Sequence, residues 1–223
     1  MSSHEHELLA CESKPVYMTG MNPDAVLPYG LTADIVFQAM NDFVEFLTFV
    51  NSSLNAKGIV RLENLIMPAN FSSLVGEFMI QRIAAHSKTL VQNRHHNGHP
   101  DLLPVGRYPN DKAQHELDGI EVKASRNLSG WQGHNAEDVW LMVFVFENNS
   151  QSEVDKPPIP FRFLKVIGAQ LTKSDWKFAG RSETSRRTIT ASITESGRRK
   201  MEANWVYCVP ELRSKLRSLP ASE

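Results

Sequence analysis

Residues two apart on a β-strand point to one face, so Glu121-Val122-Lys123 sets a carboxylate beside an ammonium group. Residues 119–125 alternate apolar and polar side chains with a period of two, which predicts a half-exposed strand. By itself a Glu-x-Lys tripeptide is commonplace on exposed strands. Pro100-Asp101 changes its meaning. Nineteen residues lie between Asp101 and Glu121, and their midpoint is Asp111, inside the turn signal Pro109-Asn110-Asp111-Lys112. A simple antiparallel hairpin closing there brings the two carboxylates opposite each other. Facing carboxylates repel, and a divalent cation between them favours their ionised forms.

Pro100-Asp101 followed by Glu121-Val122-Lys123 resembles the signature of the PD-(D/E)xK nuclease superfamily, which includes many type II restriction endonucleases. The resemblance extends to the helix, hairpin and buried-strand order of residues 72–146. It implies a restriction-endonuclease-like α/β (α+β) fold with a mixed central sheet flanked by helices. It also implies that Asp101, Glu121 and the backbone carbonyl of Val122 hold Mg²⁺, while Lys123 positions or deprotonates the attacking water. Elementary chemistry agrees with these roles. A hard cation prefers oxygen ligands, keeps waters and lowers the pKa of a bound water, and a lysine beside it becomes a better base. The function this implies is Mg²⁺-dependent hydrolysis of double-stranded DNA by a sequence-specific restriction enzyme. Cutting both strands of a palindrome calls for a homodimer.

Other side chains compete for places in such a site. Glu77, on a helix spanning residues 72–91, is a candidate third carboxylate, with a solvated helix residue as the plainer alternative. Asp118 or Glu116 replaces Asp101 in a different register, although Asp118 lies too near Glu121 to need a second strand. His95, His96, His99, His115 and His134 suggest a zinc hydrolase or HNH-type site, but paired cysteines are missing, so they read as polar loop residues near the centre. Gln132 and Asn135, in the segment that follows the catalytic strand, are candidates to contact adenine edges or phosphates. Arg181, Arg186, Arg187, Arg198, Arg199 and Lys200 form a basic cluster suited to phosphate.

The remaining elements must position these residues. Apolar periodicity predicts a helix over residues 32–53, and a continuous apolar run predicts a strand buried on both faces over 139–146. Residues 102–105 read as a short strand with proline at an edge, 130–133 as a flexible connection, and 161–171 as another strand. Residues 188–193 and 205–209 are shorter strands, and 210–219 a terminal helix. Residues 1–30 read as an irregular lead-in to one nuclease domain spanning 1–223.

A chain that is 41% hydrophobic and 22% charged has ordinary globular composition, and no apolar run reaches the length of a membrane span. Two cysteines, Cys11 and Cys208, fit a reducing cytoplasm better than a disulfide framework. Net charge is −1, but residues 156–217 hold 14 Lys/Arg against 5 Asp/Glu, which suggests an anion-facing third. Two rival functions follow from the same residues. One is a non-catalytic nucleic-acid-binding protein in which Glu121 and Lys123 form a surface ion pair. The other is a DNA repair or phage nuclease of the same fold.

Overall fold

Thr32 is extended and its side chain accepts the Ile35 amide, so a helix starts there and runs over Ala33–Asn55. The structure, a computed structural model, describes residues 3–133, 135–153, 155–178 and 190–217. Among them the helices are α1 (Ser3–Cys11), α2 (Ala33–Asn55), α3 (Leu62–Leu65), α4 (Pro68–His86), α5 (Glu195–Ala203) and α6 (Pro210–Arg217). The strands are β1 (Leu90–Gln92), β2 (Leu102–Pro104), β3 (Ile120–Ser125), β4 (Gln132–Gly133), β5 (Val139–Glu147), β6 (Arg162–Leu171), β7 (Trp176–Phe178), β8 (Ala191–Ile193) and β9 (Trp205–Cys208). A six-stranded sheet has the order β1-β2-β3-β5-β6-β9 and is antiparallel except for the parallel pair β3 and β5. A three-stranded sheet has the order β4-β8-β7. The fold is therefore mixed α/β, with helices flanking a mixed central sheet.

Alternation along the strands decides which side chains reach which layer. Val139 through Phe146 are all buried in β5, as a strand covered on both faces requires. Phe144 and Phe146 share one face, where Phe71 of α4 lies 5.7 Å from Phe146 and Phe43 of α2 lies 5.8 Å from Phe163 of β6. Val145 pairs with Lys165, yet Phe146 pairs with Phe163, so β6 carries one extra residue, Leu164. This bulge turns Lys165 to the opposite face from Phe163. There its ammonium meets Glu202 of α5 at 2.8 Å.

The same parity governs β3. Val122 and Ala124 share the α4 side, where Gly76 of α4 approaches the Ala124 backbone. Glu121 and Lys123, paired with Leu141 and Val143, face the other way. Glu121 and Lys123 thus project from the strand face opposite Val122 and Ala124.

Several expectations need correction. Residues 1–30 are not uniformly irregular, because α1 forms and is tied down by Glu7, which accepts a 2.9 Å bond from the buried Arg61. Its sequence hides this, since Ala10 and Cys11 are buried at its end while Leu8 and Leu9 are exposed. The helix expected at 72–91 is Pro68–His86. Pro68 occupies its first turn, where a missing N–H costs nothing, and Leu90 belongs to β1 instead. β2 is not an edge strand, for β1 covers it. Residues 130–133 are not a free connection, since Trp131 is buried and Gln132–Gly133 pairs with β8.

Candidate active site

The hairpin register creates the site. Leu102 pairs with Ile120, which places Asp101 across from Glu121 in the antiparallel geometry of β2 and β3. Pro109–Asp111 forms a 3-10 turn between them, at the expected midpoint. Asp101 Oδ2 accepts a 2.8 Å hydrogen bond from the Val122 N–H. In a strand the N–H and C=O of one residue point to the same neighbour, so the Val122 carbonyl is directed to the Asp101 side as well.

Glu121 is held by two donors. His99 Nδ1 lies 2.9 Å from its Oε2, and Lys123 Nζ lies 3.1 Å from its Oε1. The other nitrogen of His99 lies 3.3 Å from Glu137 Oε2. His99 also stacks on His115, with ring centroids 5.3 Å apart.

All these groups line one cleft of about 960 Å³, which Glu77 reaches from α4. His95, His96 and Asn135 lie on its walls. Asn93 shapes the loop above it: its side chain donates to the carbonyls of Pro100 and Ala113 and accepts from the amides of His95 and Ala113. Gly98 completes that packing, because a Cβ there would stand 2.4 Å from the Ala113 carbonyl oxygen. The loop is a built wall.

Electrostatics separates the two facing carboxylates. Burial, reinforced by the charge of Glu121 and by Glu77, raises the Asp101 carboxyl to about 8, against the Val122 N–H and Lys123. Burial would raise Glu121 too, but the His99 hydrogen bond and the Lys123 charge outweigh it and hold the carboxyl down to about 2. Burial would lower the His99 imidazole, yet its bond to Glu121 and the charges of Glu121, Glu137 and Asp101 raise it.

The donor set fits a hard divalent cation. It offers carboxylate oxygens from Asp101 and Glu121 and a directed backbone carbonyl, and Mg²⁺ characteristically takes one or two carboxylates and keeps several waters. Among the described residues no group of three His, Cys, Asp or Glu side chains stands in metal-holding geometry. Among the described residues His95, His96, His99 and His115 stand in no such group.

The other expected residues divide. Gln132 is exposed and does not line the cleft; its side chain accepts from Thr190 Oγ1 across the small sheet. Asp118 is spoken for by Arg107 at 2.6 Å, and Glu116 is exposed, so neither replaces Asp101. Arg198 and Arg199 pair with Glu195, and Lys200 pairs with Asp175 at 2.8 Å. Arg181, Arg186, Arg187 and His134 lie outside the described residues. Glu137 went unnoticed in the sequence. Its signal was a carboxylate two residues ahead of the apolar strand and in phase with Leu141, the partner of Glu121.

Comparisons of the chain with family models, curated proteins and solved structures find no match. The resemblance to PD-(D/E)xK nucleases therefore stands on the motif residues and their placement.

Proposed function

We propose that the chain is a Mg²⁺-dependent endonuclease that hydrolyses phosphodiester bonds of double-stranded DNA, as a homodimeric, sequence-specific restriction enzyme of the cytoplasm. The observation that carries this reading is the β2–β3 register, which sets Asp101 opposite Glu121 with Lys123 on the same cleft wall. Asp101, Glu121 and the Val122 carbonyl would hold Mg²⁺, with Glu77 on the wall of the same cleft. Bound there, the ion would neutralise charge on a phosphoryl oxygen and lower the pKa of a water.

The chain's own residues do the rest. Lys123, anchored 3.1 Å from Glu121, orients the attacking water and, once its ammonium has released a proton to solvent, receives the proton of that water. Water adds across one P–O bond, and the departing oxygen takes a proton from solvent. The Asn93-braced loop and Asn135 confine the strand over the carboxylates.

Purified protein incubated with several plasmids and Mg²⁺ should yield discrete bands. A smear, or cutting only at branched or damaged DNA, would move the reading to a repair or phage nuclease. Lys123→Ala should slow cleavage by roughly 10²- to 10⁴-fold. Binding in Ca²⁺ should stay close to wild type, because one lysine is a small part of a multi-phosphate surface. Full cleavage by that variant would leave Glu121 and Lys123 as a mere ion pair.

A further inference from the structure

His99 is the one cleft histidine whose two ring nitrogens both meet carboxylates among the described residues, Glu121 at 2.9 Å and Glu137 at 3.3 Å. Its side chain is 14% exposed, and Glu121 and Glu137 are each 18% exposed. The backbone is fixed as well. The His99 N–H donates to the Gln114 carbonyl, and the His99 carbonyl accepts from Glu116. With His115 stacked on the ring, the imidazole cannot turn away without breaking contacts on each side. A loop histidine free to touch phosphate would show none of this.

Glu121 has three side-chain torsions and would otherwise sample many orientations. Here one carboxylate oxygen takes the imidazole and the other takes Lys123, which pins the carboxylate plane. Each oxygen has a second lone pair, so two donors leave acceptor capacity for a cation. Groups that hydrogen-bond a ligating carboxylate fix its direction in this way, and their removal typically weakens metal affinity or activity.

We propose that His99 is a positioning residue that holds Glu121 in the direction a divalent cation requires, with Glu137 as the outer anchor that fixes the ring. The inference rests on the nuclease reading of the cleft and adds two residues to it. His99 acts through Glu121 and touches neither substrate nor reacting atoms. The chain Glu137, His99, Glu121 is a prearranged support, in place before the cation arrives.

The test is titration of the protein with Mn²⁺ alone, followed by electron paramagnetic resonance, with plasmid cleavage in Mg²⁺ measured alongside. Wild type should bind Mn²⁺, and His99→Ala should bind it roughly 10- to 100-fold more weakly. His99→Asn puts an amide nitrogen near the position of Nδ1 and should recover much of the affinity, whereas His99→Gln, which mimics the other nitrogen, should not. Glu137→Gln keeps an acceptor for the ring and should lose less than His99→Ala. That ordering is not what general destabilisation produces. Should His99→Ala fail to fold, the Asn, Gln and Glu137→Gln variants still decide the matter. Affinity that is unchanged or tighter in a folded His99→Ala variant overturns the proposal, since the ring would then compete with the cation. Absence of Mn²⁺ binding and of cleavage in wild type would instead sink the nuclease reading itself.

Discussion

Asp101 and Glu121 face each other across a two-stranded register, yet their surroundings drive them to opposite protonation states. Glu121 collects an imidazole and an ammonium and stays ionised, while buried Asp101 beside that charge has its carboxyl raised to about 8. A carboxyl raised in this way favours its protonated form, and a cation binding there would displace the proton. Uptake of Ca²⁺ should release a proton, and affinity should climb with pH until it levels off above about 8. Calorimetry in buffers of different ionisation heat measures that proton directly; an uptake that releases none would refute the assignment of Asp101 as a ligand. The same shift predicts a stability trend for the cation-free protein. A raised carboxyl binds more protons folded than unfolded, so its contribution is fully present below the unfolded carboxylate pKa and is lost as pH rises towards about 8. Asp101→Asn should flatten that loss in denaturant titrations.

At the scale of elements, the register of one short hairpin decides whether Asp101 and Glu121 meet. Gly119 sits at its entrance with φ of 153°, and a Cβ there would stand 2.3 Å from the Leu102 carbonyl oxygen and 2.4 Å from Pro100 Cγ. Gly119→Ala must therefore push β2 away from β3. We expect a loss of about 1–3 kcal/mol in unfolding free energy and a loss of cation binding although every ligand remains. Cation binding at wild-type strength in that variant would show that Asp101 does not depend on this register. On the other face, Phe43 of α2 lies within 6.5 Å, ring to ring, of Phe46, Phe71, Phe78, Phe161 and Phe163. Phe43→Ala should cost about 3–5 kcal/mol by urea unfolding, because it opens a cavity where α2, α4 and β6 meet. The sequence made the hairpin and α2 readable, since local spacing determines both: a turn at the midpoint of two carboxylates, and apolar residues at three- and four-residue steps. It concealed β1, β4 and β7, which are two or three residues long and are defined by distant partners, although β8 falls inside the strand expected at residues 188–193. Glu137, and its meeting with His99, were hidden for the same reason. Their meeting depends on a parallel β3–β5 pairing that no local pattern announces.

For the molecule as a whole, the question is which charges remain to meet a polyanion. Residues 156–217 carry 14 Lys/Arg against 5 Asp/Glu, but much of that excess is consumed within the fold. Lys156 pairs with Glu153, Arg162 with Glu147 and Glu211, and Lys165 with Glu202. Arg198 and Arg199 share Glu195, and Lys200 holds Asp175. A cation already neutralised by a carboxylate releases few counterions when phosphate approaches. Lys173 and Lys177 are exposed and have no carboxylate partner among the described residues. Arg181, Arg186 and Arg187, outside those residues, and Arg213, Lys215 and Arg217 are the other concentrations of positive charge in that third of the sequence. DNA binding in Ca²⁺ should therefore weaken with salt through few contacts, and replacing Arg186 and Arg187 together by alanine should reduce the log–log slope by about 1.8, at about 0.9 per phosphate lost. Arg199→Ala, which removes a charge paired with Glu195 at 3.2 Å, should leave the slope near its wild-type value. If the double variant instead keeps both affinity and slope, the phosphates are held elsewhere, and the cleft walls around His95, His96 and Asn135 become the place to look. A changed preference between sites at constant slope would assign either arginine to a base edge.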